Sequence, residues 1–130
     1  MRKIIVLAIV VMLTGCATVK SWVPSFWDDN QSASIVNVRQ RIEQLDCASA
    51  DRLPQVMAIY DQVRWFELYS DSKGWQQADV LRLTEPMKQS VNDFVRRSQA
   101  GEGTQTYCEI KKKLLARQAE TAARAVLGRF

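Results

Sequence analysis

The sequence predicts an all-α fold, a small antiparallel bundle of about four helices, and three observations carry that expectation. Apolar residues recur at three- and four-residue steps in four successive stretches; the strict apolar/polar alternation of a half-buried strand does not occur; and the connections are short enough to make successive helices antiparallel neighbours. Composition agrees with one globular domain. The 130 residues are 47% apolar and 25% charged with only five Gly and three Pro, so burial can offset the entropy of ordering.

The N-terminus carries an address rather than a domain helix. Arg2 and Lys3 form a short basic region, and Ile4 to Met12 is an unbroken apolar run. That run is about half of the ~20 residues a membrane-spanning helix needs, so it reads as the core of a signal peptide. Leu13-Thr14-Gly15-Cys16 follows, with small residues directly before a cysteine, and this tetrad resembles a bacterial lipobox. The resemblance implies a signal peptide over residues 1–15, cleavage between Gly15 and Cys16, diacylglycerol on the Cys16 thiol and an acyl chain on the new amino group. Each buried CH2 contributes roughly 0.8 kcal/mol, so two or three chains anchor a protein durably where one would be marginal. A plain secretory signal or an uncut anchor is the alternative. Ala17, where an Asp commonly retains enterobacterial lipoproteins in the inner membrane, looks like export to the outer membrane.

Loss of Arg2 and Lys3 with the signal lowers the formal net charge from +4 to +2. A domain so near neutrality lacks the single-sign field of a nucleic-acid binder, and no nucleic-acid partner is expected.

Residues 16–31 read as a lipidated aromatic tether. Pro24 disfavours helix just before it, and Asp28-Asp29-Asn30-Gln31 reads as a solvated run. Trp22, Phe26 and Trp27 suit a membrane-interface belt, packing onto the domain, or a partner-binding segment.

Residues 32–130 form the predicted helical domain. The first helix presents Ile35, Val38, Ile42 and Leu45 on one face and closes at Cys47. The second begins near Asp51 with Pro54 in its first turn, where a missing N–H costs little. Its stripe is Leu53, Val56, Tyr60, Val63 and Phe66, widened by Ile59 and Trp65, and Ser70 to Gly74 supplies the stop. The third stretch is expected to break, because Pro86 inside a helix costs about 3 kcal/mol. A short turn from Asp79 to Leu83 would precede a new helix capped by Thr84, carrying Met87, Val91, Phe94 and Val95 as far as Gly101-Glu102-Gly103. The last helix opens on Thr106-Tyr107-Cys108-Glu109, which fits a capping box. It continues through Ile110, Leu114 or Leu115, Ala119, Ala122 and Val126 to Gly128.

With Cys16 committed to lipid, Cys47 and Cys108 remain as an even pair outside the cytosol, which favours a disulfide pinning one helix end to another. Free buried thiols, or a redox pair lacking the Cys-x-x-Cys spacing, are the alternatives.

Catalytic chemistry finds little purchase. The chain has no His, so Ser-His-Asp and Cys-His systems and His metal ligands are excluded. No phosphate loop or Gly-x-Ser-x-Gly elbow occurs. Asp28-Asp29 lacks further oxygen ligands at a defined spacing, so no metal site is expected. No catalytic residue is assigned, and no cofactor beyond the covalent lipid on Cys16. Lys111-Lys112-Lys113 with Arg117 and Arg124 offers a basic stripe for lipopolysaccharide phosphates, anionic lipid or peptidoglycan. A triplet spreads over about 200° of helix, which favours a solvated face instead. Arg96 and Arg97 suit the C-terminal dipole of the third helix.

Exposed aromatics are the better functional signal. Trp22, Trp27, Trp65, Tyr69 and Trp75 are many for so small a domain, and any left outside the core need a membrane or a protein partner. Trp75, beside Gly74 in a predicted loop, is a candidate contact, with a lid over the bundle end as its alternative.

The lipobox, the aromatic segment Ser21-Trp22-Val23-Pro24-Ser25-Phe26-Trp27-Asp28-Asp29 and a small helical domain together resemble small outer-membrane lipoproteins of Gram-negative bacteria. The whole chain is also similar to lipoproteins carried by tailed phages. These resemblances imply a lipid-anchored, periplasm-facing, non-enzymatic protein whose bundle binds another envelope protein. The phage resemblance implies an outer spanin or a superinfection-exclusion factor, and a peptidoglycan- or lipopolysaccharide-binding module is the third expectation.

Overall fold

The computed structural model describes residues 28–128, and these form four helices: α1 (Asp29–Gln44), α2 (Arg52–Ser72), α3 (Ala78–Gln99) and α4 (Gln105–Leu127). A single 3-10 turn, Trp75–Gln77, leads into α3. Each helix packs against the next, and α4 returns to α1, closing a four-membered ring around one core. Up-down-up-down order follows from which ends meet. Asp28, before α1, bonds Tyr69 near the end of α2, and Arg52, at the start of α2, reaches the carbonyl of Gly103 beyond α3. Cys47, after α1, is disulfide-bonded to Cys108 in the first turn of α4, with Cα atoms 5.6 Å apart. The expected all-α bundle and its disulfide are therefore present.

The core follows the helical stripes closely. Ile35, Val38 and Ile42 from α1, with Leu45 just after it, meet Val56, Ile59, Val63 and Phe66 of α2. From the other side come Val80, Met87, Val91 and Phe94 of α3, and Leu115, Ala119, Ala122 and Val126 of α4. Some expected stripe members lie outside. Leu53 and Trp65 are exposed, Tyr60 only borders the core, and Ile110 and Leu114 are exposed on α4, where Leu115 takes the inward position. Ile59 takes the central place on α2, three residues after Val56 and four before Val63.

Three helix boundaries differ from expectation. First, α1 starts at Asp29 rather than Ser32, because Asp28 caps it by accepting from the Gln31 backbone N–H at 3.0 Å. Gln31 and Ser32 are buried, so the polar run is helix and not solvated tether. At its other end α1 stops at Gln44, which leaves Cys47 in the connection.

Second, α3 does not break at Pro86. Val80, Thr84, Met87, Val91 and Phe94 are buried at alternating four- and three-residue steps across the proline, and a break would take this stripe out of register. Burying each large apolar side chain contributes about 1.5–3 kcal/mol, which together outweighs the roughly 3 kcal/mol of one internal proline. Thr84 is not a cap; its hydroxyl donates back to the Leu81 carbonyl at 3.1 Å.

Third, the cap of α4 is Thr104, whose hydroxyl accepts from Tyr107 N–H at 3.1 Å, not Thr106. Thr104 directly follows the turn that ends α3. There Gly101, at φ 73°, lets Glu102 N–H reach the Arg97 carbonyl and Gly101 N–H reach that of Ser98.

Candidate interaction surface

The α1–α2 connection is first bound to the bundle through its backbone. Asp46 accepts from Ala48 N–H and its own N–H donates to Gln55, while Arg52 donates from one guanidinium to the carbonyls of both Cys47 and Gly103, each at 2.9 Å. Lys112 of α4 adds a bond to the Leu45 carbonyl at 2.7 Å. Both cysteines are buried.

Beside the disulfide, Asp93 joins α3 to α4. Its oxygens accept from Lys111 at 2.7 Å, from Arg96 at 2.8 Å and from the Tyr107 hydroxyl at 3.0 Å, and Arg97 lies within 3.4 Å. Lys111 first, then Arg96, hold the Asp93 carboxyl well below the usual carboxylate range. Burial, reinforced by the bond to Asp93, pushes the Tyr107 hydroxyl up to about 12. Arg97 and Lys111 both approach the Tyr107 ring, which packs against Phe94 in a T-shaped pair. The lysine triplet is thereby divided: Lys111 is an ion-pair partner, Lys112 binds a backbone carbonyl, and Lys113 is exposed. Arg124 pairs with Glu120. The expected face of solvated lysines is limited to Lys113, and the basic residues of α4 do not line up on one ligand.

At the opposite end, Asp28 is a junction. Besides capping α1 it accepts from the Tyr69 hydroxyl at 3.0 Å and pairs with Lys73 at 2.6 Å. Partial burial works to raise its pKa, but the bonds from Lys73, Gln31 N–H and Tyr69 outweigh it and hold the carboxyl below its ordinary value. Tyr69 stacks on Trp65, their planes within 5°, and Lys73 lies over the Tyr69 ring at 5.1 Å from its centroid. Underneath, Gln31 donates to both Ser70 and Gln77, a buried polar knot joining α1, α2 and the 3-10 turn. The sequence gives no periodic signal for this knot, because Gln31, Ser70 and Gln77 each read as surface residues.

Between α2 and α3 runs a groove of about 280 Å³ that contains Glu67, Leu68, Leu81 and Lys88. Glu67 bridges Lys88 at 2.6 Å and Arg64 at 2.7 Å; these partners overcome the effect of burial and lower its pKa. Glu67, Asp93 and Asp28 are thus all engaged in holding helices together. Among the described residues no group of three or more Cys, Asp or Glu has the placement of a metal site, and no helix is long and apolar enough to cross a membrane.

Trp75 stands apart from all of these. It is 74% exposed, the largest exposure among the exposed large apolar side chains, so it is not a lid over the bundle end. Gly74 precedes it at φ 81°, a backbone conformation that favours glycine. Of the other candidate residues, Gly15, Cys16, Trp22, Phe26 and Trp27 lie outside the described residues. No protein-family model, curated protein or solved structure matches this chain.

Proposed function

We propose that the chain is a non-enzymatic lipoprotein of the bacterial outer membrane, anchored through Cys16, whose bundle binds another envelope protein on the periplasmic side. The observation that carries this reading is the ordered series of basic residues, short apolar run and Leu13-Thr14-Gly15-Cys16 ahead of a disulfide-bonded domain. A buried disulfide belongs to an oxidising compartment, which supports export. The exposed side chains Ile110, Leu68 and Val36 support a binding role, since apolar groups of that size at a surface favour contact with a partner.

The reading is tested by metabolic labelling with palmitate and by crosslinking in intact cells. Wild-type protein should incorporate label, fractionate with the outer membrane and crosslink to one envelope protein. Cys16→Ser should lose all three. Unchanged fractionation of the variant would overturn the anchor, and recovery of abundant lipoproteins alone would overturn a dedicated partner.

A further inference from the structure

The bundle has two chemically different ends, and only one is joined to the N-terminal segment. Asp28 fixes the point where that segment leaves the domain, and its partners Tyr69 and Lys73 lie six and two residues before Trp75. The exit of the chain and the protruding tryptophan therefore share one end, and the disulfide lies at the other.

Trp75 stands on a braced turn. Its turn is fixed from beneath by Gln77, which is 1% exposed and bonded to Gln31, while Trp75 itself is 74% exposed. A large amphipathic ring thus projects into open space from a fixed base. Twelve peptide steps separate Cys16 from Asp28, so the domain end lies at most about 40 Å from a lipid carried on Cys16. Tryptophan favours the boundary between headgroups and acyl chains, where its ring is dehydrated and its N–H stays in a polar layer.

The α2–α3 flank of the bundle suits a membrane less well. Arg64, Glu67, Glu85 and Lys88 form a network of ion pairs across α2 and α3, and bringing it against acyl chains would desolvate several charges.

We infer that the bundle stands end-on at the bilayer, with Trp75 seated in the headgroup region and the disulfide end pointing away from it. This rests on the lipid-anchored reading above and goes further, assigning Trp75 to lipid rather than to the protein partner. The seated ring gives the anchored domain a second, weak membrane contact, and leaves the helix sides and the disulfide end accessible.

The test uses the lipidated full chain in vesicles of phosphatidylethanolamine and phosphatidylglycerol with brominated acyl chains. One form retains only Trp75 (Trp22→Phe, Trp27→Phe, Trp65→Phe); another retains only Trp65 (Trp22→Phe, Trp27→Phe, Trp75→Phe). Far-UV circular dichroism establishes that both are folded, and flotation reads the anchor independently of the tryptophan signal. The Trp75 emission should shift to the blue and be quenched roughly twofold relative to unbrominated vesicles, with Trp65 little affected. Protein that floats while Trp75 stays unquenched would overturn the end-on seating and leave the anchor standing. Stronger quenching of Trp65 than of Trp75 would overturn it in favour of a bundle lying on its side. Failure to float would remove the anchor and the seating with it.

Discussion

The two ends of the bundle solve the same problem with different chemistry. At the Cys47–Cys108 end, the α1–α2 connection is closed covalently, bridged by Arg52 to the α3–α4 connection and flanked by the Asp93 cluster. At the Asp28 end no covalent link occurs among the described residues; the closure is a cap, one ion pair, an aromatic stack and the buried Gln31–Ser70–Gln77 knot. One end is held mainly by a constraint on the unfolded chain, the other by polar bonds and ring contacts made in the folded one. The difference shows that a helical bundle can be closed covalently where two of its connections meet and by non-covalent contacts alone where the N-terminal segment leaves it.

Breaking the covalent end should have the largest effect. The cysteines are 61 residues apart in sequence, and a loop of that length corresponds to about 4 kcal/mol in the chain-entropy model. Cys47→Ser should therefore lower the melting temperature of the purified protein by roughly 15–30 °C, and reductant should do the same to the wild type. A melting temperature indifferent to reductant would remove the disulfide from the account of stability.

Next comes the polar knot. Gln31→Leu deletes the donor shared by Ser70 and Gln77 and should cost about 1–3 kcal/mol, measured by urea denaturation, because a buried hydroxyl loses its partner. A neutral result would mean that water replaces the glutamine, making the Asp28 end more permeable than its packing suggests.

Acid sharpens the comparison further. Asp28 and Asp93 both have folded pKa values below the ordinary 3.8, so both ionise more readily in the folded chain. Their contribution is complete above that ordinary value and is lost as pH falls through the lower folded ones. Asp93 is the more strongly shifted, so Asp93→Asn should flatten the acid limb of a stability–pH curve more than Asp28→Asn does. The reverse order would place the stronger electrostatic closure at the Asp28 end.

The smallest effect is expected at Trp75. Trp75→Ala removes little buried area and should change stability by no more than about 0.5 kcal/mol. Loss of helical circular dichroism in that variant would show the ring to be structural after all.

Much of this arrangement is legible in the residues, and the unequal legibility has physical causes. Apolar periodicity identifies the inner faces of α1 and α3, and Gly101 marks a helix stop because the left-handed turn there favours glycine. The disulfide is expected from an even cysteine pair behind an N-terminus that reads as an export signal. Asp28-Asp29-Asn30-Gln31 is misleading, since a polar run has one appearance in a tether and in the first turn of a helix. What decides between them is Tyr69 and Lys73, some forty residues away. Thr106 is the better cap locally because Glu109 completes a capping box, yet Thr104, directly after the Gly101 turn, takes the role. Pro86 reads as a break because local cost is visible in sequence, whereas the stripe that outweighs it becomes decisive only once both neighbouring helices are packed. The candidate surface is legible only in part: Trp75 is conspicuous, but its projection depends on Gln77 being held from below.

The disulfide also sets how the domain would bear load. Tension applied between Asp28 and the end of α4 runs along α1 to Cys47, crosses the sulfur–sulfur bond to Cys108 and continues through α4. Helices α2 and α3 sit in a closed covalent loop outside that line. Even if pulling unravelled the termini, about 200 Å of fully extended chain would stay locked between the two cysteines. A domain wired in this way stretches only by its first and last helices, and the groove between the middle pair is shielded from the strain.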